Sequence, residues 1–436
     1  MLHGVSTDSR SVRRGDLFVA LAGEHADGHD HVAQALAAGA SAALVERVPP
    51  GVAAEAVLQV PSTVAALGRL AAWWRERIDP EVIAITGSNG KTTVKEMVAW
   101  VLAADARARG VDPQVELLAT RGNFNNHLGL PLTLLRLRAG HRRAVVELGM
   151  NHAGELHALS ALARPRVALV NNVQRAHVGL LGSLEAVARA KAEIFDGLGA
   201  NGVAVINADD PHAALLAAAA GRHRVVRFSS QAIADVGPLL EDSPRTGAQV
   251  LRLRVGPREL ACRLPLLGAH NAANLLATIA TVLPLGIDPD LACAALEDFG
   301  GVPGRLRVHT LAGGAVLIDD SYNANPDSVL AAIAVLAARP GRRVLVLGDL
   351  GELGDGAPAM LAELGAAARA AGIESLIGLG RLVAAAADGF GAGARVSEDP
   401  ATVSGWVRPL LQTGTTVLVK GSRFMRMERI VQDLSS

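Results

Sequence analysis

Ile83-Ala84-Ile85-Thr86-Gly87-Ser88-Asn89-Gly90-Lys91-Thr92-Thr93 is the stretch on which the reading of this chain turns. The apolar run from Val82 to Ile85 has the length and composition of a buried parallel strand. Gly87 and Gly90 free the backbone to curl, so several N–H groups can point at one anion. An amphipathic helix begins near Lys91, and its positive dipole end falls on the same spot. Together these are the physical recipe for holding the phosphates of a nucleotide. Lys91, at a solvent-facing loop mouth, is expected to reach the outer phosphates, and the Thr92 hydroxyl to ligate Mg²⁺. Ile85 stands where the general phosphate-loop pattern has its first glycine. An ordinary strand–turn–helix corner is therefore the competing reading, and the glycines, lysine and two threonines together weigh against it.

Working outward, 436 residues suffice for roughly two to four domains, and half of them are hydrophobic, so large cores can form. Forty-two basic residues balance 42 acidic ones, which gives no sign of a nucleic-acid or membrane surface. Cys262 and Cys293 are the only cysteines and have neither metal-ligand spacing nor a disulfide framework, which fits a reducing cytoplasm. The start, Met1-Leu2-His3-Gly4, lacks a charged-then-apolar signal pattern. No apolar stretch is long enough to span a bilayer; Val64–Trp74 is broken by Arg69. Arginine is the cation almost everywhere, with lysine only at positions 91, 95, 191 and 420. Such lysines are candidates for sites that need a compact or reactive amine.

The pattern of elements predicts an α/β protein of three domains. Residues 1–80 read as a small α/β unit, with strands at Leu17–Leu21 and Ala42–Val45, a helix at Val32–Ala38, and helical spacing at Val64, Leu67, Ala71 and Trp74. Residues 81–300 carry the phosphate loop and further strands at Ala144–Leu148, Val167–Val170 and Val203–Ile206, alternating with helices in the manner of a parallel sheet covered on both faces. Val250–Val255 and Leu260–Leu264 read as a hairpin around Gly256-Pro257, followed by a helix from about Asn271. Past the linker-like Gly300-Gly301-Val302-Pro303-Gly304, residues 301–436 read as a second doubly wound unit, with strands at Val316–Asp319, Val344–Leu347, Leu376–Leu379 and Val417–Val419.

Ligands of open α/β sheets bind beyond the carboxyl ends of the strands. Glu147 ends one strand and is placed to hold Mg²⁺, or to be a solvated strand end. His177, after Val170-Asn171-Asn172-Val173, is either a ligand or a structural histidine. Lys191 falls on the same helical face as apolar residues 184, 187, 188, 194, 195 and 198. A buried amine loses its proton more easily and can capture carbon dioxide as an anionic carbamate. From spacing alone, a paired or snorkelling lysine is the commoner case. Thr120-Arg121-Gly122-Asn123-Phe124-Asn125-Asn126 suits a polyhydroxylated or phosphorylated ligand, or is a plain Asx turn. Asp319 through Pro326, Asp349, and Lys420-Gly421-Ser422-Arg423 follow strands of the last unit and suit a zwitterion such as a peptide.

These pieces together resemble the Mur ligase family, the ATP-dependent amide-forming enzymes of peptidoglycan synthesis, and within it the branch that handles D-alanyl-D-alanine. The resemblance covers nearly the whole chain. It implies a central parallel-sheet P-loop ATPase flanked by a small N-terminal α/β domain and a C-terminal Rossmann-like domain. It also implies ligation through an acyl phosphate, with UDP-N-acetylmuramoyl-tripeptide and D-alanyl-D-alanine as substrates, in a cytoplasmic monomer with no nucleic-acid partner. Its ATP site would be Gly87, Ser88, Asn89, Gly90, Lys91, Thr92 and Thr93 with Asn271, Asn274, Arg305 and Asp320. Ser9, Arg10, Asn123, Asn125 and Asn126 would hold the UDP-sugar substrate. Tyr322, Asn323, Asn325, Asp349, Lys420, Ser422 and Arg423 would hold the dipeptide. Lys91, Glu147, His177 and Lys191 would form the catalytic set, with two Mg²⁺ ions on Thr92, Glu147, His177 and a carbamylated Lys191. The family often has a glutamate two residues after the histidine, where this chain has Gly179; Ala192 replaces a common glycine beside the lysine. A sister ligase adding the third-position diamino acid would be expected to carry Asp-Asn-Pro-Arg in its last domain, which is not found here. A folate polyglutamate synthase and an ATP-dependent switch are the more distant alternatives.

Overall fold

A computed structural model describes residues 2–23, 26–239 and 249–436. Among these the strands form three sheets. The middle sheet runs, in spatial order, Arg258–Leu264, Gln249–Val255, Val236–Pro238, Arg224–Phe228, Val203–Asn207, Val167–Val170, Glu81–Thr86, Arg143–Glu147 and Leu117–Ala119. Pairing is parallel from Leu117–Ala119 across to Val236–Pro238, and the expected hairpin adds two antiparallel strands at the far edge.

The apolar run at Val82–Ile85 is continuous because both faces of its strand are covered. Ile83 and Ile85 pack with the helices Lys91–Ala108, Ala269–Val282 and Pro289–Glu297, while Val82 and Ala84 pack with Glu155–Ala163, Leu184–Ala192 and Ala213–Ala219. Thr278 and Thr281 are tolerated in this core because their hydroxyls donate to Asn274 O at 2.8 Å and Ala277 O at 2.7 Å. Glu81–Thr86 lies between Arg143–Glu147 and Val167–Val170, so chain order reverses across it. A crevice opens at the carboxyl end of such a switch point.

The first sheet, Gly4–Ser6, Asp16–Val19, Ala42–Val45 and Val57–Gln59, is parallel throughout. The helix Thr63–Ile78 starts where the Ser62 side chain accepts from Ala65 N and stops at Asp79, which is left-handed. Its Leu67 packs on Leu17, Val19 and Leu44, whereas Ala71 enters the core of the middle unit and Trp74 Nε1 donates to Leu137 O at 3.0 Å. One helix thus serves two cores.

The last sheet is ordered Arg307–Thr310, Val316–Asp320, Thr415–Lys420, Arg342–Gly348, Ser375–Leu379 and Ala394–Ser397, antiparallel only at its first pair. Asp320 and Lys420 are register partners, so both polar groups leave the sheet together. No helix among the described residues is long and apolar enough to cross a membrane.

Candidate active site

A cavity of about 880 Å³ opens at the carboxyl ends of the middle strands and is roofed by the last sheet. Thr86 through Thr93 line it, as do Asn123, Asn125, Asn126, Glu147, His177, Lys191, Asn271, Asn274, Arg305, Asp320, Tyr322, Asn323, Asn325, Lys420 and Arg423. Residues far apart in the chain converge there because each follows, or packs against, the carboxyl end of a strand.

The phosphate loop is held by amides. Asn89 N donates to Asn172 Oδ1 at 2.8 Å, Asn89 Nδ2 to Gln174 Oε1 at 2.6 Å, and Asn171 Nδ2 to both Asn89 O and Asn274 Oδ1 at 3.0 Å. Asn274 Nδ2 donates on to Asn271 Oδ1 at 3.0 Å. Gly90 has φ +79°, and a Cβ there would lie 2.5 Å from Asn274 Oδ1 and 2.6 Å from Asn171 Nδ2. Only glycine fits that backbone and that gap. The expectation that Lys91 stands out in solvent is corrected: its Nζ folds onto Gly87 O at 2.6 Å and Ser88 O at 3.2 Å. Burial pulls its pKa below the ordinary lysine value, and nearby Glu147 opposes this.

Glu147 is 3 % exposed and fully engaged. Its Oε2 accepts from Thr92 Oγ1 at 2.7 Å, its Oε1 from Asn125 Nδ2 at 2.8 Å, and its backbone N donates to Thr120 Oγ1 at 3.1 Å. Asn125, expected on the sugar substrate, is here directed to this carboxylate. Lys95, fully buried, donates to Thr120 O at 2.9 Å and pairs with Glu96. The 120–126 loop is thereby tied to the helix that starts at Lys91.

Lys191 is 1 % exposed and makes no hydrogen bond or ion pair among the described residues. Burial, reinforced by the charge of Lys91 and opposed by Asp210, pushes its pKa well below the ordinary value. Loss of its proton is thus made easier, and the amine is unpartnered at the cavity wall. Snorkelling to solvent and pairing with a carboxylate, both open from spacing, are absent. His177 is left-handed at φ +61°, with Nδ1 2.7 Å from Glu352 Oε2 of the last unit.

From the roof, Arg305 Nη2 donates to Thr92 Oγ1 at 2.8 Å, and Asn325 Nδ2 to Asn89 Oδ1 at 2.8 Å. Asn325 also caps the helix Pro326–Ala337 in a reciprocal capping box with Ser328. The Tyr322 ring has the guanidinium of Arg305 at 4.4 Å and that of Arg423 at 5.4 Å. Asp320 accepts from Lys420 Nζ at 2.6 Å, and Lys420 also donates to Asn323 O at 3.0 Å.

Four expected site residues do not line the cavity. Asp349 accepts from the backbone N of Arg381 and Val383 at 3.0 and 2.8 Å, which fixes a turn. Ser422 Oγ joins Ala324 O to Gly351 N. Ser9 Oγ donates to Gln34 Oε1 at 3.0 Å, and Arg10 pairs with Asp8 at 2.8 Å on the surface. Sequence reading assigned no role to Asn171, Asn172 or Gln174, although the run of amides at a strand's carboxyl end is a visible signal. It also missed Arg175, which bonds Asp327 and Glu363 across the cleft at 2.8 and 3.1 Å, and Asp210 and Glu352, for which no local signal exists.

Among the described residues no three His, Cys, Asp or Glu side chains gather as a metal site. A Mg²⁺ held here would depend on ligand phosphates, the usual arrangement for that ion. Glu147 and the Thr92 hydroxyl supply oxygen donors that fit such a role, and the unpaired Lys191 amine would supply them only as a carbamate.

The chain matches the family described as the Mur ligase family, catalytic domain, over residues 1–75, the Mur ligase middle domain over 85–282, and the Mur ligase, glutamate ligase domain over 304–423. It belongs to the Mur ligase family. The UDP-N-acetylmuramoyl-tripeptide--D-alanyl-D-alanine ligase of Escherichia coli (strain K12) is 41 % identical over 435 residues, which is 99 % of this chain and 94 % of the relative. MurF from Acinetobacter baumannii superposes with a TM-score of 0.89 at 37 % identity, covering 99 % of this chain and 93 % of that one. MurF ligase from Thermotoga maritima, solved in complex with ADP, gives 0.85 at 26 % identity over 99 % and 97 % of the two chains.

Proposed function

We propose the following division of labour for this cavity. The protein is an ATP-dependent ligase that joins D-alanyl-D-alanine to UDP-N-acetylmuramoyl-tripeptide. A carboxylate oxygen of the tripeptide attacks the γ-phosphorus of ATP, the bond to the bridging oxygen breaks, and ADP leaves. The amine of the dipeptide then attacks the carbonyl carbon of the acyl phosphate, its C–O bond breaks, inorganic phosphate departs, and the amine proton passes to water. No enzyme nucleophile is required.

Residues 87–93 cradle the phosphates through backbone N–H groups, with Asn271 and Asn274 behind them and Arg305 and Asp320 from the roof. Lys91 leaves its loop carbonyls to meet the transferring phosphoryl group, whose charge it spreads. Thr92, Glu147, His177 and Lys191, the last as a carbamate, are the residues that would hold Mg²⁺, whose chemistry when bound is to neutralise phosphate oxygens. The carbamate forms from the neutral amine and carbon dioxide with loss of one proton. Residues 1–80, with Ser9 and Arg10, and the loop Asn123–Asn126 receive the UDP-sugar end. Residues 301–436 receive the dipeptide at Tyr322, Asn323, Lys420 and Arg423, while Asp349 and Ser422 shape the loops beneath them.

The observation that carries this reading is one cavity in which a phosphate loop, a hydrogen-bonded carboxylate and a buried, unpaired amine face an ion-paired, aromatic-bearing roof. The test is phosphate release with ATP and UDP-tripeptide across a panel of amino acids and dipeptides. D-alanyl-D-alanine should support turnover and free amino acids should not. Equal turnover with a single amino acid refutes the assignment.

A further inference from the structure

We propose that Glu352 is a positioning residue for His177, delivered across the cleft through a gap left by Gly179. The proposal rests on the reading of the cavity as a ligase site, and it is carried by a separate set of contacts. His177 lines the cavity and belongs to the middle unit; Glu352 belongs to the last unit and does not line it. Their side chains meet at 2.7 Å through Nδ1 and Oε2. Both residues hold left-handed backbones, φ +61° for His177 and +63° for Glu352. Each such conformation is disfavoured for a non-glycine residue and persists only where the surroundings fix it. What they have in common is each other.

Gly179 makes the approach possible. A Cβ at that position would lie 2.7 Å from Glu352 O, 2.9 Å from Gly354 N and 3.2 Å from Leu353 C. All three are backbone atoms, so no side chain can swing aside to make room. The short helix Val178–Leu181 therefore receives the 351–354 loop flush against it, and the carboxylate arrives beside the imidazole. A carboxylate 2.7 Å from Nδ1 restrains the orientation of the ring. Because the two residues sit on different units, the His177 ring is positioned in this way only when those units are together.

The test uses full-length protein labelled with [¹⁵N]histidine, the His177 signals being assigned by their loss in His177→Asn. Glu352→Ala should move the His177 ring resonances away from their wild-type positions, without substrate or metal present. In turnover, Glu352→Ala and Gly179→Ala should each lower kcat by about 10–100-fold, with the KM for UDP-tripeptide changed less than about twofold. Glu352→Gln, which keeps the shape and not the charge, should fall between. In the double variant the losses should not multiply, since both remove one contact. Unchanged His177 resonances in Glu352→Ala, or multiplicative losses in the double variant, overturn the proposal. Should the wild type fail to release phosphate with its substrates, the ligase reading falls while the resonance comparison still decides the pair.

Discussion

Removing the ammonium of Lys91 should lower kcat by about 10²–10³-fold, the usual cost of losing one donor to charge that develops in a transition state. Only two loop carbonyls lose a donor, so stability should change by about 1 kcal/mol. Phosphate release at saturating ATP, with a denaturant melt alongside, separates the two effects; near-normal kcat in Lys91→Ala removes it from the mechanism. Lys191 makes a different prediction. Its pKa in the folded state lies below the unfolded value of 10.5, so between those two pKa values the unfolded chain binds the extra proton. Stability then rises with pH through that interval. Lys191→Met should therefore be more stable than the wild type at pH 7 in buffer free of carbon dioxide, and the advantage should shrink as pH approaches 10.5. A melting-temperature difference that stays constant over this range contradicts the lowered pKa of the buried amine. With [¹³C]bicarbonate, a carbamate carbon signal should appear in the wild type and vanish in Lys191→Met.

The turn between Glu81–Thr86 and Lys91–Ala108 depends on Gly90. Gly90→Ala places a methyl on the Asn274–Asn171 amide chain and forces alanine to φ +79°. The expected loss is about 1–3 kcal/mol of stability, read by urea unfolding, with weakened binding of an ATP analogue. The same turn shows what a sequence reveals. Its strand, its glycines and its helix start are contiguous, so one window contains the whole device. Strands with long apolar runs, such as Val167–Val170 and Val203–Asn207, were equally legible because both faces are buried. Arg224–Phe228, Arg307–Thr310 and Ala394–Ser397 were not: they are short, and polar side chains interrupt them. In the sequence, a carboxylate at a strand end looks the same whether it lines the cavity, as Glu147 does, or closes a turn, as Asp349 does. Only the register of the neighbouring loop distinguishes the two. Gln174, Arg175 and Glu352 acquire their roles from partners more than 80 residues away, and no window contains both ends.

At the scale of the molecule, contacts between the middle and last units close the cavity, among them Thr92–Arg305, Asn89–Asn325, Arg175–Asp327, Arg175–Glu363 and His177–Glu352. The Arg175–Asp327 pair is partly exposed, and such pairs contribute about 0–1 kcal/mol, so the units are expected to part and rejoin. Closure excludes water from an acyl phosphate that would otherwise hydrolyse. Small-angle scattering should show compaction when ATP analogue and UDP-tripeptide are added together, and less of it in Asp327→Ala, whose melting temperature should barely move. An unchanged radius of gyration in the wild type contradicts this. One further consequence follows from where the lysines lie. Lys95, Lys191 and Lys420 are buried and Lys91 is turned onto its own loop, and the chain has no others. Its outer face is thus bare of side-chain amines. Acylating dyes, reductive methylation and amine cross-linkers, which elsewhere decorate a surface at random, would find their side-chain targets here only inside the cavity or the core. Their rate of incorporation would report how often the molecule opens.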